Sequence, residues 1–459
     1  MRDILLALVI AALLPMAFKR PWIGALMFAW VSIMNPHKLA WGFASSFPWA
    51  QVIAVVTLVG FVFAHRERKP FPLSGLTVVY MLLMVWMTVT SFFAIGIPEW
   101  VQSRWVFVMK IHLMVLVTLM LIRERKHIEL LVWVVVGSVA FYGVKGGLFT
   151  IATGGSGRVW GPPGGMIQEN NALAVALVMM MPLMFFLILT SSKRWMKWAV
   201  GLCLVLMSFA VLGTQSRGAL VALLGMATVL GMKSKHPFRY GMAIALAVFL
   251  GMAFMPDSWT SRMDTIKSYQ EDSSAMSRIY TWITLWNLSL DRPFVGGGFG
   301  TDTLTVFRRY APTEAPYNIF TGTVWVAHSI YFQALGEHGF PGLALYLLLG
   351  FLTWRTATWT IHQTRHDPTF QDWAPTLMRM CQVSLAGFAT GGAFLSLMHL
   401  DVVFYIMAII LVTAATVREA HKARLQQRAP SPSPTLASTR APVSVSVGPP
   451  PQGAWPRLR

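Results

Sequence analysis

The sequence predicts an all-α polytopic membrane protein of about 12–13 transmembrane helices with one long outer loop region. Its 459 residues are 55% hydrophobic and only 12% charged, with a mean hydropathy of +0.57. Soluble domains carry about a quarter charged residues. The apolar residues fall into many runs of roughly 15–22, the length that spans a bilayer as helix. Charges gather between these runs. Backbone polar groups in lipid must bond internally, and a helix does this within one segment.

The apolar segments cover 4–18, 21–35, 50–64, 76–97, 105–122, 128–152, 171–190, 196–213, 217–232, 239–255, 326–354 (interrupted), 380–398 and 402–417. The first two are short for a full span and can form a shallow hairpin, so the count is twelve or thirteen. The run Ile4 to Phe18 has no Ala-x-Ala cleavage site and leads past Lys19-Arg20 into the next run, which reads as a retained helix. Residues 429–459 are rich in Pro, Ser and Val without helical period and read as a disordered cytoplasmic tail. The expected organisation is a 1–428 transmembrane domain, including a 257–325 loop region with short helices, followed by that tail. Cys203 and Cys381 lie inside apolar runs without metal-ligand spacing and read as small buried hydrophobes.

The formal net charge is +19. In a soluble chain this would point to nucleic acid; here the cations sit in short loops and report topology instead. Alternate loops hold 21 of the 37 Lys and Arg, among them Lys19, Arg20, Lys69, Arg123, Arg125 and Arg365. The other loops hold ten, six of them in 257–325. The first set is therefore expected in the cytoplasm, with the C-terminus. The 257–325 loop then faces outward, into the periplasm if the membrane is bacterial. Within that loop, Ser274 to Leu290 carries Ile279, Trp282, Ile283, Trp286 and Leu288 at helical spacing. Asp291-Arg-Pro-Phe-Val-Gly-Gly-Gly-Phe-Gly300 follows as a glycine-rich turn.

Outer loops are poor in cations, so an arginine in one needs a separate reason. Arg217 sits in Gly213-Thr-Gln-Ser-Arg-Gly218, where Thr214 or Ser216 can cap the following helix. A cation there opposes the helix dipole, and the exposed amides suit an anion. The plainer reading is an arginine reaching lipid phosphates. Arg278 lies on the expected surface helix, and Arg158 lies in a glycine-rich loop just before Gln168-Glu-Asn-Asn171. Singly, either can be a solvated arginine; three on one face suit a diphosphate, which guanidinium binds bidentately. Glu169, Asn170 and Asn171 are candidates for sugar hydroxyls, or caps of the helix beginning there. His328 opens Ala327-His-Ser-Ile-Tyr-Phe-Gln-Ala-Leu-Gly-Glu-His-Gly-Phe-Pro-Gly342 and is a candidate general base, or a histidine facing water at a helix start. His338, in the break, reads as structural. Lys110, His112 and Lys145 lie within apolar runs, where ionisable groups are functional candidates. Lys145 is expected to line an internal cavity, and Lys110 and His112 to pair within the bundle, without the sequence deciding between these. The chain has no outer Asp-x-Asp, His-Glu-x-x-His, Walker loop or Gly-x-Ser-x-Gly. No metal site and no cofactor are indicated; Gly296-Gly-Gly-Phe-Gly300 lacks the strand–helix context of a dinucleotide fingerprint.

His328, Ser329, nine residues, then Gly339-Phe-Pro-Gly342 resembles the signature of bacterial O-antigen ligases. Ser216-Arg217-Gly218 resembles the arginine that opens the region shared by the ligases and polymerases. Arg278 with Trp282, and Asp291-Arg-Pro-Phe with its glycine turn, resemble that region's outer loop. Arg20-Pro-Trp-Ile-Gly and Asn35-Pro-His-Lys38 look like the exosortase-associated O-glycosylation ligase subgroup. The resemblance runs from about residue 20 to residue 420.

It implies a GT-C-like fold in the bacterial inner membrane and an inverting, metal-independent glycosyltransferase. The donor would be O-antigen glycan on undecaprenyl diphosphate, and the acceptor a lipid A-core sugar hydroxyl at the periplasmic face. His328 would be the general base, with Arg217 and Arg278 acting on the developing charge and Arg158 on the diphosphate. The protein is expected to act as a monomer, without nucleic acid. Two relatives of this reading are an O-antigen polymerase and a protein O-glycan ligase. A lipid-linked-glycan flippase is the reading from another class, and it would call for repeated halves that the sequence does not display.

Overall fold

The computed structural model describes residues 1–64, 68–233, 273–315, 324–428, 448 and 453. The chain divides into two compact units, Met1–Val417 and Arg418–Arg459. Everything below concerns the first. The expected span at 239–255, the rest of the 257–325 loop and most of the 429–459 tail lie outside the described residues.

The described residues form α-helices and short 3-10 turns, with no strand among them. Twelve of the thirteen apolar segments coincide with helices: Arg2–Lys19, Pro21–Met34, Trp49–Phe63, Gly75–Phe92, Pro98–Leu121, Arg125–Ala152, Asn170–Thr190, Arg194–Gly213, Arg217–Lys233, Ile330–Thr364, Ala374–Gly391 and Asp401–Arg428. Seven of the described helices are long and apolar enough to cross a membrane; Pro21–Met34 and Trp49–Phe63 are shorter apolar helices. The protein is thus an all-α, multi-pass membrane protein.

Helix boundaries follow local chemistry. Pro21, Pro98 and Pro375 stand in first turns, where a missing N–H costs nothing. Ser74 and Thr77 form a capping box at the start of Gly75–Phe92. Within the spans, hydroxyls return to the preceding turn, as Thr118 does to the Met114 carbonyl at 2.7 Å and Thr353 to Leu349 at 2.7 Å. These hydroxyls are thereby satisfied within an apolar layer. Asn170–Thr190 is a central helix, 78% of its apolar window being buried, whereas Arg194–Gly213 is peripheral at 28%. Ala374–Gly391 packs against Asn170–Thr190 and Arg217–Lys233, and Ile330–Thr364 packs against Gly75–Phe92 and Ala374–Gly391.

Contacts between loops separate the bundle into two ends. At one, Lys69 N–H reaches the Met120 carbonyl at 3.0 Å, Arg123 the Pro70 carbonyl at 2.9 Å, and Arg125 pairs with Asp372 at 2.7 Å. This end holds cation-rich loops. At the other, Ile95 N–H meets the Gly297 carbonyl at 2.9 Å, and Arg104 pairs with Asp302 at 2.8 Å. The expected surface helix is present as Ser273–Asp291, with Ile283 and Trp286 exposed. A second short helix, Leu304–Tyr310, is capped by Thr303 and held to the first by Asn287.

Two interior assignments change. Lys145 is exposed rather than lining an internal cavity. Buried His112 pairs with Tyr80 at 2.7 Å, ring nitrogen to hydroxyl, not with Lys110.

Candidate active site at a broken helix

The helix Ile330–Thr364 is interrupted where Gly339 adopts φ 68° and ψ −173°. A side chain there would be strained and would collide with the Phe294 carbonyl. Pro341 has no N–H, so the carbonyl four residues earlier, that of Glu337, loses its helical partner. The glycine-rich turn 293–300 supplies the replacements. Gly298 N–H donates to the Glu337 carbonyl at 2.8 Å, Gly297 N–H to Gly336 at 2.8 Å, and Phe340 N–H to Pro293 at 2.8 Å. Trp86 Nε1 closes the set on the His338 carbonyl at 2.9 Å. The Asp291–Gly300 segment is therefore a backbone plug for the break.

His328 lies two residues before this helix begins, in a left-handed conformation with φ 46°. That backbone costs of order 1–3 kcal/mol for a non-glycine residue. It is held by the His328 N–H donating to Ser396 Oγ at 2.7 Å and by Ser329 capping the helix through Phe332 N–H. Trp282 Nε1 donates to the Ala327 carbonyl at 2.9 Å and its ring stacks on Phe332 at 5.3 Å. This fastens the surface helix one turn after Arg278. Burial, and behind it the Arg278 cation, holds the His328 imidazole down at about 4. Its neutral form, able to accept a proton, is the resting state at neutral pH.

His328 lines a cavity of about 390 Å³ together with Gln168, Glu169, Gln333, Glu337 and Ser396 and the Arg104–Asp302 pair. Glu169 is thus brought to the cavity of His328, while Arg278 acts on His328 electrostatically without lining that cavity. Asn170 is buried, and its amide donates to the Thr214 carbonyl at 2.8 Å. The Arg158 loop joins the same assembly: Val159 N–H bonds the Gly213 carbonyl at 3.0 Å, and Gln215 Nε2 bonds Gly155 at 3.3 Å. Ser216, not Thr214, caps the helix opened by Arg217, accepting from Ala219 N–H at 3.2 Å. Thr214 Oγ1 turns back to Val211. Arg158 sits over the Trp160 ring at 5.8 Å and is absent from the residues lining the His328 cavity, as are Arg217 and Asn171. The Arg158 and Arg217 segments are therefore bonded to each other, and the Arg278 helix is fastened separately, through Trp282, to the residue before His328.

Sequence reasoning missed Arg104, Asp302, Gln333, Glu337, Ser396 and His399. Gln333 and Glu337 carried a signal, being four apart on the helix that His328 opens. Indeed Gln333 Nε2 reaches Glu337 Oε1 at 3.3 Å. Ser396 and His399 carried none, lying far along the chain.

Residues 202–347 match the model of the O-antigen ligase family, a stretch containing Arg217, Arg278, His328 and both glycines of the break. Residues 1–192 match a family of unknown function (DUF5935). A comparison with curated proteins finds no match. The ligase domain supports a ligase- or polymerase-type function in O-antigen processing, and with it a glycosyltransferase-like enzyme acting on lipid-linked glycan. Residues 202–347 are thus similar to the O-antigen ligase family.

Proposed function

We propose that the protein is an inverting glycosyltransferase that moves O-antigen glycan from undecaprenyl diphosphate to a lipid A-core sugar hydroxyl. The reaction belongs to lipopolysaccharide assembly at the periplasmic face of the bacterial inner membrane, with the C-terminus in the cytoplasm. One observation carries this reading: a partly buried histidine, kept neutral by burial and by the Arg278 cation, lines a cavity at the end of the bundle away from the cation-rich loops.

In the proposed step, the acceptor hydroxyl oxygen attacks the anomeric carbon and its proton passes to the His328 imidazole. The anomeric C–O bond breaks, and the electron pair leaves with undecaprenyl diphosphate. A sugar hydroxyl is a weak nucleophile and gains from a positioned base. Diphosphate leaves readily once its charge is offset, so no metal is needed at the reacting bond. Arg278 and Arg217 are assigned to that charge, and Arg158 to the diphosphate. Burial and the Arg278 cation set the low proton affinity of His328. An arriving diphosphate offsets the Arg278 cation and raises that affinity toward the range of an effective base. Glu169 is assigned to the acceptor sugar. Asn170 holds the Arg217 turn rather than a ligand, and Asn171 is left as a capping-region residue.

Purified protein mixed with undecaprenyl-diphosphate glycan and rough lipopolysaccharide tests the reading. Glycan on lipid A core is the expected product. Donor elongation without such transfer would assign the polymerase reaction instead. Passage of donor across vesicles with no new glycosidic bond would assign transport.

A further inference from the structure

Glu337, His338 and His399 meet beside the helix break. Each offers one nitrogen or oxygen, and these atoms lie within 4.8 Å of one another. Glu337 Oε2 is 3.1 Å from His399 Nε2 and 3.7 Å from His338 Nε2. Ligands at 2.0–2.1 Å around one tetrahedral ion stand about 3.3 Å apart. The two separations bracket that value.

The proton positions sharpen the geometry. Thr90 Oγ1 stands 3.0 Å from the Met87 carbonyl and 2.8 Å from His338 Nδ1, so it holds the imidazole ring in place. With Nδ1 donating to Thr90, the tautomer that a metal would select, His338 Nε2 presents a bare lone pair. It has no hydrogen-bond partner, belongs to a side chain with no solvent exposure, and faces a carboxylate oxygen. Two electron-rich atoms facing each other in a dry interior repel, and an electrophile between them reverses the sign. Ligating histidines characteristically donate their other N–H to an outer partner, which fixes tautomer and ring plane. Thr90 occupies that place.

We propose that Glu337, His338 and His399 bind a divalent transition cation of the zinc class. Two imidazoles and a carboxylate form a borderline ligand set suited to zinc, unlike the all-oxygen sets of magnesium and calcium. A cavity of about 180 Å³, lined by Glu337, His399, Gln333 and Arg104, gives the ion an entry path and room for a water as fourth ligand.

Glu337 and His338 immediately precede the Gly339 break, and His399 lies three residues after Ser396, which holds the His328 N–H. The cation would clamp the broken helix to the 395–400 segment and so set the position of His328. It serves as a clamp and takes no part in the proposed transfer step.

The test uses the full purified chain in detergent, stripped with chelator and titrated with Co²⁺. Expected are one equivalent per chain by elemental analysis, ligand-field absorption of a four-coordinate site, and thermal stabilisation. Glu337→Gln and His338→Gln should lose all three. Thr90→Val, which keeps every ligand but frees the His338 ring, should weaken Co²⁺ binding about 10–100-fold. Monodisperse wild-type protein that binds no Co²⁺ would overturn the proposal, leaving a proton on His338 as the electrophile. So would Glu337→Gln protein that binds as wild type does. None of these readouts requires transfer activity.

Discussion

Gly298 donates its backbone N–H to the Glu337 carbonyl across 2.8 Å, filling the place that Pro341 vacates in the broken helix. A proline break in a membrane helix survives where neighbouring groups re-satisfy the freed backbone. Here the neighbour is the glycine turn 293–300. Gly298 has φ 70°, and a side chain on it would collide with Ala94. Gly298→Ala is expected to destabilise the protein by roughly 1–3 kcal/mol or more, read as a lower melting temperature in detergent. An unchanged melting temperature would show that the plug is not needed.

The left-handed backbone at His328 depends on Ser396. Ser396→Ala removes the acceptor of the His328 N–H, and the imidazole should wander from its working position. Turnover is expected to fall roughly 10- to 100-fold, the scale for a misplacement of about 1 Å, while expression and melting stay near wild type. Full turnover in this variant would remove Ser396 from the account.

Much of this arrangement was legible in the sequence, and the reasons it was not wholly so are physical. Apolar run length marks spans because lipid thickness fixes it, and twelve runs became helices. Pro98–Leu121, Ile330–Thr364 and Asp401–Arg428 nevertheless extend well past the apolar runs, and Ala374–Gly391 starts and ends earlier than its run. The Gly339-Phe-Pro-Gly342 break was visible because Pro and Gly act on backbone locally. The surface helix followed from Ile279, Trp282 and Trp286 at helical spacing. By contrast, His399 approaches Glu337 from 62 residues away, and no local pattern encodes such a meeting. Asn170 illustrates a second limit. Its amide suits a sugar hydroxyl or a backbone carbonyl equally well in sequence, and the fold assigns it to Thr214. Lys145 illustrates a third, since membership of an apolar run does not say which face of the helix a residue occupies.

Asn170 and Thr214 tie the central bundle to the Arg217 turn. Asn170→Ala leaves a buried carbonyl short of a partner, at a cost of roughly 1–3 kcal/mol. Because Arg217 is assigned to donor charge, the same variant should raise KM for the lipid-linked donor more than KM for the acceptor. Equal effects on both would separate Asn170 from donor handling.

The pH dependence has a defined sign. His328 must be neutral to accept a proton, and burial with Arg278 lowers its pKa from 6.5 to about 4. The acid limb of kcat/KM, which reports the free enzyme, is therefore expected near pH 4, with a plateau through 6.5. Arg278→Gln removes the smaller of the two causes and should shift that limb upward by part of the interval. A wild-type limb at 6.5 or above would place His328 in water, contrary to the structure.

The central claim is that His328 takes the acceptor's proton. The most direct test is the rate of glycan transfer from undecaprenyl diphosphate to rough lipopolysaccharide by folded His328→Ala protein, with donor and acceptor saturating. Loss of a general base predicts a fall of about 10²–10⁴-fold with the melting temperature preserved. Transfer by His328→Ala within a few-fold of wild type would contradict the account.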